Sequence, residues 1–236
     1  MNRLLELAAL GARETMMAQS VNANNLANTS TPGFRKDLIN YTGTKQTEGL
    51  VTAVDLVPGN VQGTGHHLDV AISGEGYFAV QSPNGSEAYS RRGDFRVDSL
   101  GQMTDGAGNP VIGEGGPVAL PPFSSLEIGT DGTISIFPLG DSSAEPLVID
   151  RLKLVTLDES LLEKGLDGFL RLPQGQVVPP DAQVKVVSGA LEASNVSPVD
   201  ALVRMIDLQR KFESHVEMME TAKENRQRLD SVMTFN

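Results

Sequence analysis

The residues of this chain that could do chemistry are few and are poorly spaced for it. Two of the three histidines, His66 and His67, are adjacent, and neighbouring side chains of a strand point to opposite faces. The third, His215, lies far along the chain in a segment with a helical pattern, so the sequence predicts no histidine metal site. Cysteine is absent from the sequence, which excludes a disulfide, a thiolate zinc site and a cysteine nucleophile.

The glycine-rich and charged motifs do not indicate catalysis either. Gly63-Thr64-Gly65 and Gly74-Glu75-Gly76 lack the lysine of a phosphate loop and the third glycine of a dinucleotide fingerprint, so we expect turn glycines. Arg91-Arg92 could form an anion site, but the favoured interpretation is a solvated strand face whose arginines pair with acidic side chains. Asp94 and Asp98 have no spacing typical of general acid–base catalysis. We therefore predict no catalytic residue, cofactor or metal.

Composition narrows the class of protein further. The chain has 236 residues, 39% of them hydrophobic, which suffices for a folded core with helical arms. Its formal charge of −11 repels phosphate backbones and anionic lipids, which disfavours nucleic-acid and membrane-surface roles. The sequence holds no run of roughly 20 apolar residues, so we expect no membrane insertion. Arg3 and Glu6 interrupt the first leucines, and we expect no cleaved signal peptide.

The elements that would position any site fall into helix, β-rich middle and helix. From Leu4 to about Asn28 small or apolar residues recur every three or four positions, which predicts a helix with a narrow seam. Pro32-Gly33 then predicts a sharp exit turn. From Ser197 to about Met233 the helical pattern returns, with Ser197 as N-cap and Pro198 at the first position. Its apolar stripe is predicted to include Leu202, Ile206, Phe212, Val216 and Met219.

The middle of the chain has the texture of a β domain. Alternating patterns at residues 68–72, 77–80, 133–136 and 183–186 predict strands. Asn84-Gly85, Asp105-Gly106 and Asp131-Gly132 favour tight hairpin turns because they accept positive φ at low cost. A short helical or irregular stretch is expected at residues 158–164.

These patterns predict an α+β protein whose N- and C-terminal helices pair as a coiled coil, with a central all-β domain between them in the sequence. The predicted segments are residues 1–33, 34–188 and 189–236. Periodicity leaves open whether the helices pair within one chain and cap the sheet, or pair between chains. Asn22, Asn24, Asn25 and Asn28 crowd the end of the first helix, where asparagine is unfavourable, so we expect their amides to find partners outside that helix.

Three motifs resemble one family. Residues 21–35, VNANNLANTSTPGFR, closely resemble the N-terminal signature of flagellar rod and hook proteins. Residues 59–62 and 68–80 are similar to the strands that open that family's β domain. Residues 189–196 and 205–213 are similar to its C-terminal helix region. Within the family, TPGFR at residues 31–35 resembles the proximal-rod branch more than the distal rod.

The resemblance implies a non-enzymatic subunit of the periplasmic basal-body rod, the axial drive shaft of bacterial motility. It implies export by the flagellar type III apparatus, and partners that are further copies and neighbouring proximal and distal rod proteins. A distal rod or hook subunit remains an alternative, as does a carbohydrate-active β domain or hydrolase with dimerising helices. The expected assembly interface comprises Asn22, Asn24, Asn25, Leu26, Asn28, Pro32, Gly33, Phe34, Leu191, Asn195, Val196, Leu202, Ile206, Gln209, Phe212, Val216 and Met219. We expect both ends to be mobile in solution and to become ordered on assembly.

Overall fold

The computed structural model describes residues 2–44, 47–139, 145–165 and 167–233. It contains both predicted helices, α1 (Asn2–Ala27) and α2 (Pro198–Met233). At 1.5 Å per residue these helices are about 40 and 54 Å long. The Ser197 hydroxyl accepts a hydrogen bond from the Asp200 amide at 3.3 Å, which confirms Ser197 as the N-cap of α2.

The chain divides into two compact units. The first, called the helix unit, comprises Met1–Thr29, Asp37–Ala53 and Val196–Asn236. Here α1 and α2 pack against each other, so the α+β class is confirmed, and of the two alternatives left open the helices pair within one chain. The hairpin of strands β1 (Asp37–Thr44) and β2 (Thr47–Val54) contacts α1, so residues 37–53 group with the helices and not with the β-rich middle.

The second unit, called the β unit, comprises Ser30–Lys36 and Val54–Asn195. Its strands are β3 (Val61–Gly63), β4 (Val70–Ser73), β5 (Tyr77–Gln81), β6 (Glu87–Ser90), β7 (Arg96–Val97), β8 (Met103–Thr104), β9 (Ile112–Gly113), β10 (Gly116–Pro117), β11 (Phe123–Ile128), β12 (Thr133–Pro138), β13 (Leu147–Arg151), β14 (Leu154–Val155), β15 (Glu163–Lys164), β16 (Leu170–Arg171), β17 (Lys185–Ser188) and β18 (Ala190–Glu192).

These strands form small antiparallel sheets. The largest described has the order β14-β5-β6-β16-β15, and a second has the order β11-β12-β13. Four further pairs are β3-β18, β4-β17, β7-β8 and β9-β10. The main core lies between these sheets, where the rings of Phe78 and Phe95 meet edge to face at 5.1 Å.

Most local β predictions are confirmed. Gly85 and Gly132 adopt φ of +84° and +85°, and they lie in the β5–β6 and β11–β12 hairpin turns as expected. The turn after β8 differs, because Gly108 and not Gly106 takes the positive φ. A 3₁₀ turn at Glu159–Leu161 matches the expected short helical stretch. His66 and His67 lie outside the named strands, just before β4.

Candidate assembly site

The helix unit contains a seam of small residues where α1 meets α2. Ala8, Ala12, Thr15 and Ala18 of α1 are buried. The helices are antiparallel, because Asn22 near the end of α1 bonds to the start of α2, whereas the first turn of α1 lies against the second half of α2. Such small side chains let the two backbones approach closely.

The closest approach involves Gly11 and His215. A Cβ atom on Gly11 would lie 2.4 Å from Cε1 of the His215 ring, a distance that real side chains do not tolerate. Glycine is therefore required at this position unless the imidazole moves. The ring is held in the seam, with its Nδ1 buried and without a hydrogen-bond partner among the described residues.

Two of the four asparagines at the end of α1 bond outside that helix, as expected. Asn22 Nδ2 donates to the main-chain oxygen of Ala201 in α2 at 2.8 Å. Asn25 exchanges two 2.8 Å hydrogen bonds with the main chain of Asp37, which begins β1. These bonds satisfy buried amides and fix both elements against α1.

The other two asparagines bond to each other. Asn28 Nδ2 donates to the main-chain and side-chain oxygens of Asn24, at 2.9 and 2.7 Å, so these two amides bond to each other. Asn24 is exposed and Asn28 is partly buried. Their bonds close the C-terminal end of α1, where main-chain oxygens lose their helical partners.

The stripe of α2 that faces α1 is rotated from the predicted one. Leu202 and Ile206 are 52% and 55% exposed, so their predicted place on one stripe with Phe212 is wrong. Ala201 and Leu208 are buried instead. The two predicted residues are each one position away from the seam, a rotation of about 100° on a helix.

In the β unit, the incoming chain segment is bonded to the outgoing one. The Asn195 carboxamide accepts from the Lys36 amide at 2.7 Å and donates to the oxygens of Asp55 and Val57 at 2.8 and 3.0 Å. Three segments of the chain, at Lys36, at residues 55–57 and at Asn195, are therefore joined by one side chain. Phe34 contributes its main-chain oxygen, which accepts from the Asn195 amide at 3.3 Å.

Beside Asn195 lies a buried ionic cluster, called here the clasp, made of Arg35, Arg91 and Glu192. Glu192 is 1% exposed and each arginine is 5% exposed. Arg35 Nη1 and Arg91 Nε donate to different oxygens of the Glu192 carboxylate at 2.5 and 2.8 Å, and the Gly59 amide adds a 2.9 Å bond. The prediction that Arg91 occupies a solvated face is wrong, although Arg92 does pair with Asp94 as expected.

The exit turn predicted at Pro32-Gly33 packs directly against this clasp. Gly33 has φ of +65°, and its amide donates to the Glu192 main-chain oxygen at 2.7 Å. A Cβ atom there would lie 2.3 Å from the Arg91 carbonyl carbon, so only glycine fits. The Lys164 ammonium lies 4.0 Å from the centre of the Phe34 ring.

Two buried phenols have altered acidity in the β unit. Burial, followed by the charge of Glu159, raises the pKa of Tyr77, against the opposing effect of the clasp arginines. Burial also raises the pKa of Tyr89 to about 12, and its hydroxyl accepts a hydrogen bond from the Val178 amide at 3.1 Å. Both phenols therefore favour the neutral form in the folded protein.

The structure brings part of the predicted interface together and leaves part of it outside. Two of the predicted residues, Asn22 and Asn25, form hydrogen bonds inside the helix unit. Three others lie around the clasp in the β unit, namely Gly33, Phe34 and Asn195. By exposure, the predicted residues divide into buried (Asn22, Asn25, Gly33, Val196), partly buried (Leu26, Asn28, Pro32, Phe34, Leu191, Asn195, Phe212, Val216, Met219) and exposed (Asn24, Leu202, Ile206, Gln209).

The described residues offer little for other kinds of site. Among them, no cluster of three His, Cys, Asp or Glu side chains could hold a metal ion. None of the helices, over their described length, is apolar enough to cross a membrane.

Comparison with known proteins places these features in one family. Residues 187–232 match the family described as flagellar basal body rod FlgEFG protein C-terminal. Residues 71–136 match the family described as flagellar hook protein FlgE/F/G D1 domain. The first match spans the outgoing side of the clasp and most of α2. The second covers β5 to β11 with most of β4 and β12, which contribute many of the main-core residues.

Whole-chain comparison gives the same result. The chain is 37% identical to the flagellar basal-body rod protein FlgF of Salmonella typhimurium and 38% identical to that of Escherichia coli, each over the full length of both chains. It is 29% identical to the rod protein FlgG of Bacillus subtilis, covering 97% of this chain and 98% of that one. With full-length identity at this level and two family regions matched, the chain belongs to the family of flagellar basal-body rod proteins.

Proposed function

We propose that this chain is a structural subunit of the flagellar basal-body rod, of the FlgF type. The support is its 37–38% full-length identity to the FlgF proteins of Salmonella typhimurium and Escherichia coli, against 29–31% identity to the FlgG relatives. Other FlgF relatives are 28–31% identical, so these two proteins carry the assignment. The family is structural, and the protein is not an enzyme. Its partners are then further copies of itself and neighbouring rod proteins.

One observation carries the proposal of self-assembly: α2 has a second apolar stripe that α1 does not cover. Val199, Leu202, Val203 and Ile206 are each more than half exposed. Their spacing of three, four and seven residues places them on one helix face. Fully burying a large aliphatic side chain stabilises a structure by about 1.5–3 kcal/mol, so covering this stripe favours association by several kcal/mol.

The packing inside the helix unit supports a coiled-coil arrangement. Residues 201, 205, 208, 212, 215, 219 and 222 of α2 are all buried or partly buried, and their spacing alternates between four and three. That spacing is typical of a coiled-coil seam. We infer that α1 and α2 form an antiparallel coiled coil, and that helices of neighbouring subunits pack on its outer stripe.

The same proposal sets the location and route of the protein. It works in the periplasmic part of the basal body and reaches it through the flagellar type III export apparatus. Helices that are stabilised mainly by association with other subunits suit this route, because they are only weakly stable in a single chain and unfold readily for export.

The test substitutes the outer stripe and leaves the inner seam intact. We expect Leu202→Ser with Ile206→Ser to keep the helix content of the monomer, to weaken self-association in sedimentation at least about tenfold, and to abolish swimming in a strain lacking the native subunit. Leu100→Ser is the matched control, because Leu100 is a more exposed leucine in the β unit. If the double variant assembles and swims like the wild type, the outer stripe is not the interface.

A further inference from the structure

The side chains of this protein that react with mild oxidants are its methionines, and they are concentrated in the helix unit. The sequence has eight methionines and neither cysteine nor tryptophan. Seven of the eight fall in the residue ranges of the helix unit, and the eighth, Met103, is fully buried in the β unit. An oxidant that attacks thioethers therefore acts mainly on the paired helices.

Two of these methionines belong to the seam between α1 and α2. Met205 and Met219 are two of the seven α2 positions that follow the coiled-coil spacing, and both are partly buried. Met219 also lines a groove of about 360 Å³ together with Leu5 of α1. The seam thus contains thioethers that pack between the helices and are still reached from solvent.

The other methionines provide a contrast within the same molecule. Met16, Met17 and Met218 lie on the two helices and are 57%, 43% and 41% exposed. Oxygen added to these side chains stays in water, so it should not disturb the packing of the helices. Accessibility and structural consequence therefore fall on different methionines.

Peroxides convert the thioether of methionine to a sulfoxide. One oxygen atom of hydrogen peroxide is transferred to sulfur as the O–O bond breaks, so the sulfur is oxidised by two electrons and the peroxide is reduced to water. The product is polar and chiral where the original side chain was apolar. Inside a helix seam, the new oxygen costs free energy unless it accepts a hydrogen bond.

The hydrogen-bond donors near Met219 lie at the edge of the groove. Lys223 and Arg226 line the groove and are exposed. A sulfoxide that accepts from either of them turns outward and withdraws its side chain from α1. On the α1 side of the seam, the Thr15 hydroxyl already donates to the main-chain oxygen of Gly11 at 2.7 Å.

We propose that Met205 and Met219 form an oxidation site, at which conversion to sulfoxides by a peroxide separates α1 from α2. Methionine sulfoxide reductases would reverse the change. The inference concerns a single chain and does not depend on the proposed rod function.

Peroxide treatment of the monomer, followed by peptide mass mapping and amide hydrogen exchange, tests the proposal. We expect the exposed methionines to be oxidised first, Met205 and Met219 next, and Met103 last. Once the two seam methionines are oxidised, exchange in α1 and α2 should become at least about tenfold faster, because an unpaired polar group has been placed in the seam. Exchange in the β unit should stay unchanged.

Leucine variants identify the methionines that matter. Leucine replaces methionine with little change in volume, so Met205→Leu with Met219→Leu should keep the helices paired and keep them protected after peroxide treatment. The matched control replaces the exposed Met16, Met17 and Met218 by leucine, and its helices should lose protection as the wild type does. Circular dichroism before treatment checks that both variants are helical.

Reversal provides a second measurement that needs no variant. Treating oxidised wild-type chains with methionine sulfoxide reductases should restore the slow exchange of α1 and α2. If reduction of the sulfoxides does not restore it, or if the seam variant loses protection as much as the wild type, the proposal is wrong. It is also wrong if Met205 and Met219 are oxidised and exchange in the helices does not change.

Discussion

Removing the carboxylate of the clasp should destabilise the β unit strongly. We predict that Glu192→Ala lowers the free energy of unfolding of this unit by about 4 kcal/mol. The substitution leaves the buried guanidinium groups of Arg35 and Arg91 without their shared counter-ion, and the Gly59 amide without an acceptor. The clasp also joins the incoming and outgoing segments, so its loss should loosen both.

The magnitude follows from these three bonds. Removing one partner of a buried ion pair costs about 3–5 kcal/mol, and an unsatisfied buried amide costs about 1–3 kcal/mol. The two costs overlap, because water that enters when the site relaxes lowers both of them. The total is therefore about 4 kcal/mol. Glu192→Gln keeps an acceptor for Arg35 and Gly59 but turns an amide towards Arg91, so we expect about half that loss.

Urea unfolding is the appropriate assay. The chain has no tryptophan and three tyrosines, of which Tyr77 and Tyr89 lie in the β unit and Tyr41 in the helix unit. Tyrosine near-ultraviolet signals of chains that carry Tyr41→Phe therefore report on the β unit. Glu114→Ala is the control, because Glu114 is 45% exposed and lies 3.8 Å from Arg151, a pair whose loss should change stability by less than about 1 kcal/mol. If Glu192→Ala costs no more than this control, the clasp does not stabilise the unit and the reasoning fails.

Two further predictions concern the ends of the chain and alkaline pH. In amide hydrogen exchange on the monomer, we expect the opening free energy of α1 and α2 to be about 3 kcal/mol lower than that of the β unit, because the small side chains of α1 bury little surface. Equal protection of the helices and the β unit would contradict ordering on assembly. The raised pKa of Tyr89 adds stability that is complete below pH 10 and is lost as pH rises towards 12. Tyr89→Phe should remove that part of the alkaline loss of stability, and near neutral pH it should cost about 1 kcal/mol for the lost bond to Val178. Urea unfolding across alkaline pH measures both effects, and a near-ultraviolet absorbance titration follows the phenol itself. If the stability of the variant falls with alkaline pH as that of the wild type does, the loss belongs to other groups.

The sequence predicted what is decided locally. Pro32-Gly33 and Ser197-Pro198 mark the helix ends because a missing amide, a positive φ and a capping hydroxyl act within a few residues. The hairpins at Gly85 and Gly132 were predictable for the same reason. The turn after β8 was not, because two glycines lie within it and the local pattern does not say which one takes the positive φ.

The clasp could not be predicted from local pattern, because its partners are far apart in the chain. Arg35 and Glu192 are separated by 157 positions, and Arg91 and Glu192 by 101. Arginine beside acids is normally solvated, and only the pairing of distant strands reveals that Arg91 is buried. The available signal was that Arg35 and Glu192 each lie in a motif that resembles rod proteins, near the first and last residues of the β unit.

The rotated stripe of α2 shows why a correct helix pattern does not identify the partner of each face. Leu202 and Ile206 are larger and more apolar than Ala201, so their spacing dominates the pattern, yet the seam excludes them. The α1 side is built from alanines, Gly11 and Thr15, so its small side chains leave room for the larger seam residues of α2, such as Leu208 and His215. The seam register is therefore set by the fit between the two helices and not by which face of α2 is the most apolar. Large aliphatic residues therefore remain on the outer face of a helix that already has a partner. An isolated protein gains nothing from that arrangement, whereas a subunit that must associate with further copies needs it.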